Sequence, residues 1–170
     1  MRALVTGLFL VTANAPLRAQ ERLQPVTEAA HLGVALAPRA VLTALTIPAL
    51  VAVLEEQGMP VDRVLGDTLA LARVGATRVL FQLLNDGQVV HAAFAAGTRP
   101  DPAAVNAWNR GMILSRAWLK GDGTPVCEAD LDLEGGVTGA RLRDFLRTVA
   151  AMVPEFARRM PDVAIGGRAR

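Results

Sequence analysis

The stretch Asn106–Thr138, NAWNRGMILSRAWLKGDGTPVCEADLDLEGGVT, decides the fold. Its first residues read as the end of a helix. Met112–Lys120 and Thr124–Leu133 then flank Gly121-Asp122-Gly123, the pattern of a β-hairpin whose three-residue loop has a glycine in the left-handed position. Gly135-Gly136 stops the second strand, and Thr138 is placed to cap a following helix. Both tryptophans and the only cysteine fall inside this stretch.

Glu128, Asp130, Asp132 and Glu134 alternate with Ala129, Leu131 and Leu133, so a period of two puts the carboxylates on one side and the apolar residues on the other. Three readings are open for the acidic side. It is a solvated face neutralised by Arg116 and Lys120, which a three-residue loop places on the same side; such pairs contribute a few tenths of a kcal/mol each. Or it is a protein-binding patch of Arg116, Trp118, Glu128, Asp130, Asp132 and Glu134. Or it holds calcium or magnesium. The last is disfavoured by spacing: same-face carboxylates on a strand lie roughly 7 Å apart, given ~3.3 Å per residue, while one ion needs ligands at ~2.3–2.6 Å. No metal site and no cofactor are expected.

Asn106, Trp108 and Asn109 read as scaffold. Trp108 is expected to pack the helix onto a sheet, and the asparagines to cap the helix end or hold the turn into the hairpin through main-chain hydrogen bonds. Cys127 sits in a strand pattern and is expected to be inert core packing, with an intermolecular disulfide as the alternative. The two histidines, His31 and His91, stand apart from each other and from the cysteine. His91, mid-strand between Val90 and Ala92, reads as a structural residue. The chain lacks G-x-S-x-G, HExxH, CxxC and the phosphate-binding glycine motifs.

Outward from this stretch, Thr46 looks like an N-cap ahead of Ile47 and Pro48, and Ile47, Leu50, Val51 and Leu54 follow helical spacing up to a C-cap at Gly58. Short β patterns follow: Met59–Leu65, Thr68–Val74, Thr77–Leu84 and Gln88–Ala96, separated by Gly66-Asp67, Gly75-Ala76 and Asn85-Asp86-Gly87. Asp101 and Pro102 open a second helix to about Arg110. Leu142, Phe145, Leu146, Val149, Met152, Val153 and Phe156 line a last helix, which Pro154 should kink or split. The order α-β-β-β-β-α-β-β-α predicts an α+β fold, an antiparallel sheet with helices packed on it. Residues 20–45 read as a flexible or loosely packed lead-in, 46–160 as the domain, and 161–170 as a disordered tail.

At 170 residues and 52% apolar content the chain can bury a core without disulfides or metals. Residues 1–19 have the positive, apolar and small-residue order of a secretory signal peptide, with cleavage after Ala19. A periplasmic or secreted location is therefore expected, with no membrane span after cleavage, because the apolar run is shorter than the ~20 residues needed. The whole chain carries 18 basic and 16 acidic residues, and removing Arg2 and Arg18 with the leader leaves it formally neutral. The folded part thus lacks the basic excess of a nucleic-acid binder, and no nucleic-acid partner is expected.

Asn106-x-Trp108-Asn109, followed by a hairpin ending in Glu128-Ala-Asp130-Leu-Asp132-Leu-Glu134-Gly135-Gly136, resembles the YbjN-domain family of bacterial sensory-transduction regulators, from about Thr46 to Met160. The resemblance implies a secretion-chaperone-like α+β fold, frequent pairing into dimers, and a regulatory or chaperone-like role without catalytic residues. The chain departs from the family pattern at Trp118 and Lys120-Gly121, where an aromatic followed by acids is usual. The expectation is an exported, non-enzymatic, protein-binding module. The alternatives are a small ligand-binding protein or enzyme with a pocket between sheet and helix, and a structural homodimer paired through sheet edges or hairpins.

Overall fold

A computed structural model describes residues 36–163. The expected leader, the lead-in up to residue 35 with His31, and the tail from residue 164 lie outside the described residues. The elements run β1 (Val41–Leu42), α1 (Ile47–Glu56), β2 (Val61–Leu65), β3 (Leu69–Val74), β4 (Thr77–Leu84), β5 (Val89–Ala95), α2 (Pro102–Gly111), β6 (Arg116–Leu119), β7 (Pro125–Asp132), β8 (Val137–Thr138) and α3 (Gly139–Arg159). This is the expected α+β order, with the two-residue strands β1 and β8 added as a separate antiparallel pair.

Six strands form one antiparallel sheet in the order β2-β3-β4-β5-β7-β6. Composition explains why β7 lies beside β5 and β6 takes the edge. A central strand must bury one face along its whole length, and β7 supplies Cys127, Ala129 and Leu131, followed by Leu133, all buried. The short β6 buries only Ala117. The helices pack on one sheet face over Phe81, Val90, Ala92 and Phe94. Trp108 of α2 and Phe94 of β5 both meet Phe156 of α3 edge-to-face, at centroid distances of 4.9 and 5.6 Å.

The three helix starts differ in their caps. Before α2, Asp101 accepts a hydrogen bond from the Ala103 N–H at 2.8 Å. Before α3, Thr138 accepts one from Arg141 at 3.2 Å. Thr46 occupies the cap position of α1, but its hydroxyl is buried and unpartnered. Pro48 at the second helical position has no N–H, which removes one of the two usual capping targets, and the Thr46 hydroxyl does not take the other, the Ala49 N–H. α3 is not split, and runs as one helix through Pro154.

Both ends of the described chain are tied to the domain. From Leu36 the lead-in is built into the fold: Leu36, Leu42 and Leu45 are buried, and β1 pairs with β8. The buried Arg143 secures it, donating to the Leu36 carbonyl at 2.5 Å and the Gly139 carbonyl at 3.1 Å while forking onto Glu56 at 2.8 Å. At the other end, Asp162 accepts from the Arg99 N–H at 2.7 Å and the Val163 N–H donates to the Arg99 carbonyl at 2.9 Å. The expected tail therefore starts as a docked segment through Val163. Neither tie is local in sequence, so neither leaves a periodic signal.

Candidate interaction surface

The hairpin forms with the expected three-residue loop. Gly123 takes φ +82°, and the Lys120 N–H donates to the Thr124 carbonyl at 2.9 Å. The register sets Arg116 opposite Glu128 and Trp118 opposite Val126. Alternation then sends Glu128, Asp130 and Asp132 to the sheet face away from the helices.

On that face the strand pairings gather one polar cluster. The Arg116 guanidinium is hydrogen-bonded to Glu128 and lies 3.9 Å from Asp130. His91 of β5 sits opposite Asp130, with Nδ1 2.6 Å from its carboxylate and Nε2 3.9 Å from Glu128. The Glu128 and His91 side chains are 14% and 16% exposed, against 45% for Asp130. Asp130 is thus the carboxylate of this cluster most open to solvent. Trp118, two residues along β6 from Arg116 and on the same face, is 44% exposed.

Not all the sequence candidates converge. Asp132 accepts a hydrogen bond from the Glu134 N–H at 2.8 Å, which ties it to the strand exit, and Glu134 lies beyond β7 in the turn to Gly135-Gly136. Lys120 is not among the cluster's ion-pair partners. His91 is the member that sequence reasoning left out, because its place follows from the β5–β7 register across 39 positions. Among the described residues, no group of three His, Cys, Asp or Glu could hold a metal ion.

The signature residues hold the surface in place from behind. Trp108 is 1% exposed and donates its indole N–H to Ser115 at 3.0 Å. Asn109 accepts from the Ala117 N–H at 2.7 Å and donates to the Ala117 carbonyl at 3.0 Å. Its amide takes the place of a further strand at the β6 edge, removing a site for unwanted pairing. Asn106 is exposed. Gly135 and Gly136 take φ +76° and +94°, and a Cβ at Gly136 would lie 2.7 Å from Val41. The Cys127 thiol is fully buried, and that burial pushes its pKa up to about 12.

The cavity between β7 and α3, lined by Ala129, Phe145, Thr148 and Met152 with Leu114, Asp130 and Arg141 at its rim, measures about 30 Å³, room for roughly one water. This counts against a ligand pocket there. A shallow depression of about 370 Å³ lies on the outside instead, lined by Ile113, Leu114, Arg116, Glu128, Ala129 and Asp130. A larger open hollow, about 920 Å³, lies around Gly97–Pro100, Thr124 and Asp162–Val163 and contains none of the candidate residues.

Comparison with known proteins adds three findings. The crystal structure of YbjN from E. coli, described as a putative transcription regulator, is similar with a TM-score of 0.49 and 16% identity, over 71% of this chain and 98% of that one. No curated protein matches. The family model YbjN, "Putative bacterial sensory transduction regulator", matches residues 47–161. That match runs from the first turn of α1 to just past the end of α3, and the chain belongs to the YbjN family.

Proposed function

We propose that this protein is an exported, non-enzymatic member of its regulator family that acts by binding another protein through the β6–β7 hairpin. One observation carries the reading: among the described residues the helices cover one face of the sheet, and the other face presents exposed Trp118 and Asp130 beside Arg116. A rigid sheet with an aromatic anchor and a directional charge pattern is suited to recognition. The side chains that shape it are spent on ion pairs and main-chain bonds, which is a scaffold's use of polar groups.

The test is capture from periplasm by crosslinking and pull-down, comparing the native protein with Asp130→Lys plus Asp132→Lys. A specific protein recovered by the first and lost with the second is expected. Recovery of the same abundant proteins by both would remove the reading. Export rests on the leader pattern of residues 1–19, and N-terminal sequencing of the mature protein should begin at Gln20.

A further inference from the structure

The hairpin strands are unequal: β7 runs Pro125–Asp132 while β6 begins only at Arg116, opposite Glu128. The outer side of β7 beyond Glu128 is therefore a length of sheet edge with no strand beside it among the described residues. The direction of its main-chain groups follows from the ladder. The Lys120–Thr124 bond marks a hydrogen-bonded pair, and such pairs alternate in antiparallel strands, so Trp118–Val126 and Arg116–Glu128 are bonded pairs as well. Ala117 points away from β7, in agreement with Asn109 taking both of its main-chain groups. Two and four residues past Glu128, Asp130 and Asp132 turn their N–H and C=O to the same outer side. There the chain preceding β6, Met112–Ser115, has left the sheet.

The walls of this slot resemble those of a docking site. Ile113 is 95% exposed and Leu114 55% exposed, two adjacent large apolar residues at the lip of the 370 Å³ depression. The open-face side chains along the slot are Glu128, Asp130 and Asp132: Arg116 is bonded to Glu128 and 3.9 Å from Asp130, His91 Nδ1 is 2.6 Å from Asp130, and Asp132 has no ion-pair partner among the described residues. The other open edge is less suitable. Glu55 takes the Val61 N–H at 2.8 Å, and a register shift between Val61 and Arg63 interrupts β2.

Resting on the binding role proposed above, we infer that the slot beside Asp130 and Asp132 receives an extended segment of the partner protein, which continues the line of β6 and pairs with β7. The segment alternates basic and apolar residues. Residues opposite Asp130 and Asp132 project onto the acidic face, where cations are favoured, and the residue between them projects towards Leu114. A second copy of β7 is a poor occupant, since its own aspartates would be set against these.

Amide hydrogen exchange on the full folded chain tests this directly. In the free protein the Asp130 and Asp132 amides should exchange on the order of 100-fold faster than Leu131, which pairs with β5. A short capped peptide of alternating lysine and valine should slow both. Its glutamate–valine counterpart and a version N-methylated along its backbone should not. Slow exchange of Asp130 and Asp132 in the free protein would show the slot already occupied and overturn the inference. Binding of the lysine peptide without added protection at these amides would also overturn it, as would no binding. Each of these outcomes leaves the pull-down result standing, so loss of the pairing mode and loss of the binding role are told apart.

Discussion

Replacing Asn109 by alanine isolates what holds the hairpin in position. The side chain makes two hydrogen bonds to one residue, at 2.7 and 3.0 Å to the N–H and carbonyl of Ala117. A neutral hydrogen bond contributes about 0.5–1.5 kcal/mol net, and leaving a buried group unpaired costs more. Here the bonds are only partly buried and Asn109 is itself exposed, so water can reach the freed groups and the lower end applies. The expected loss is about 1 kcal/mol in urea denaturation, with an unchanged slope. Asn109→Asp keeps the acceptor for the Ala117 N–H but turns a carboxylate oxygen towards the Ala117 carbonyl, so it should recover little. The Ala117 amide should exchange faster in the alanine variant under conditions where the core amides of β4 do not change. A loss below about 0.5 kcal/mol with Ala117 still protected would refute the reasoning, because the edge would then be held by α2 packing alone.

Arg143→Met should cost about 2 kcal/mol, since it strips a charged donor from the Leu36 and Gly139 carbonyls while Glu56, being partly exposed, rehydrates. The Arg143 guanidinium holds the Glu56 carboxyl below its ordinary value of 4.5. A depressed carboxylate stabilises above its unfolded pKa, and that contribution is lost as pH falls through the folded value. The native protein should therefore lose stability below about pH 4.5 more steeply than the methionine variant, read by thermal melts across that window. Cys127 should resist a thiol reagent at neutral pH until denaturant is added, because its buried thiol is held protonated with a pKa near 12; stoichiometric labelling of the native fold would contradict this. Gly87→Ala should destabilise by more than about 1 kcal/mol, since Gly87 has φ +84° and a Cβ there would lie 2.1 Å from the Leu45 carbonyl oxygen. A melting temperature equal to the native protein's would show that the loop simply shifts.

Local pattern carried the elements. Ile47, Leu50 and Leu54 line up at helical spacing, and all three are buried in α1. The apolar and polar residues of Cys127–Asp132 alternate, and the strand they form has one buried face. The turns at Gly58, Gly87 and Gly123 each take the positive φ their sequences require. Periodicity and turn chemistry are nearest-neighbour properties, so a single sequence displays them.

What paired with what was a different matter. That β7 lies between β5 and β6, that Arg143 reaches Leu36 across 107 positions, and that His91 meets Asp130 across 39 are products of chain closure and side-chain reach. The acids of β7 were legible one by one as a face. Only the folded chain determined that Arg116 and His91 draw on Glu128 and Asp130, that Asp132 is tied to the Glu134 amide, and that no strand among the described residues flanks the outer edge of β7 where β6 begins late. Patterning along a chain selects helix, strand and turn because those choices are made within a few residues. Partners distant in the chain are selected by packing, whose energy exists only once the surfaces meet.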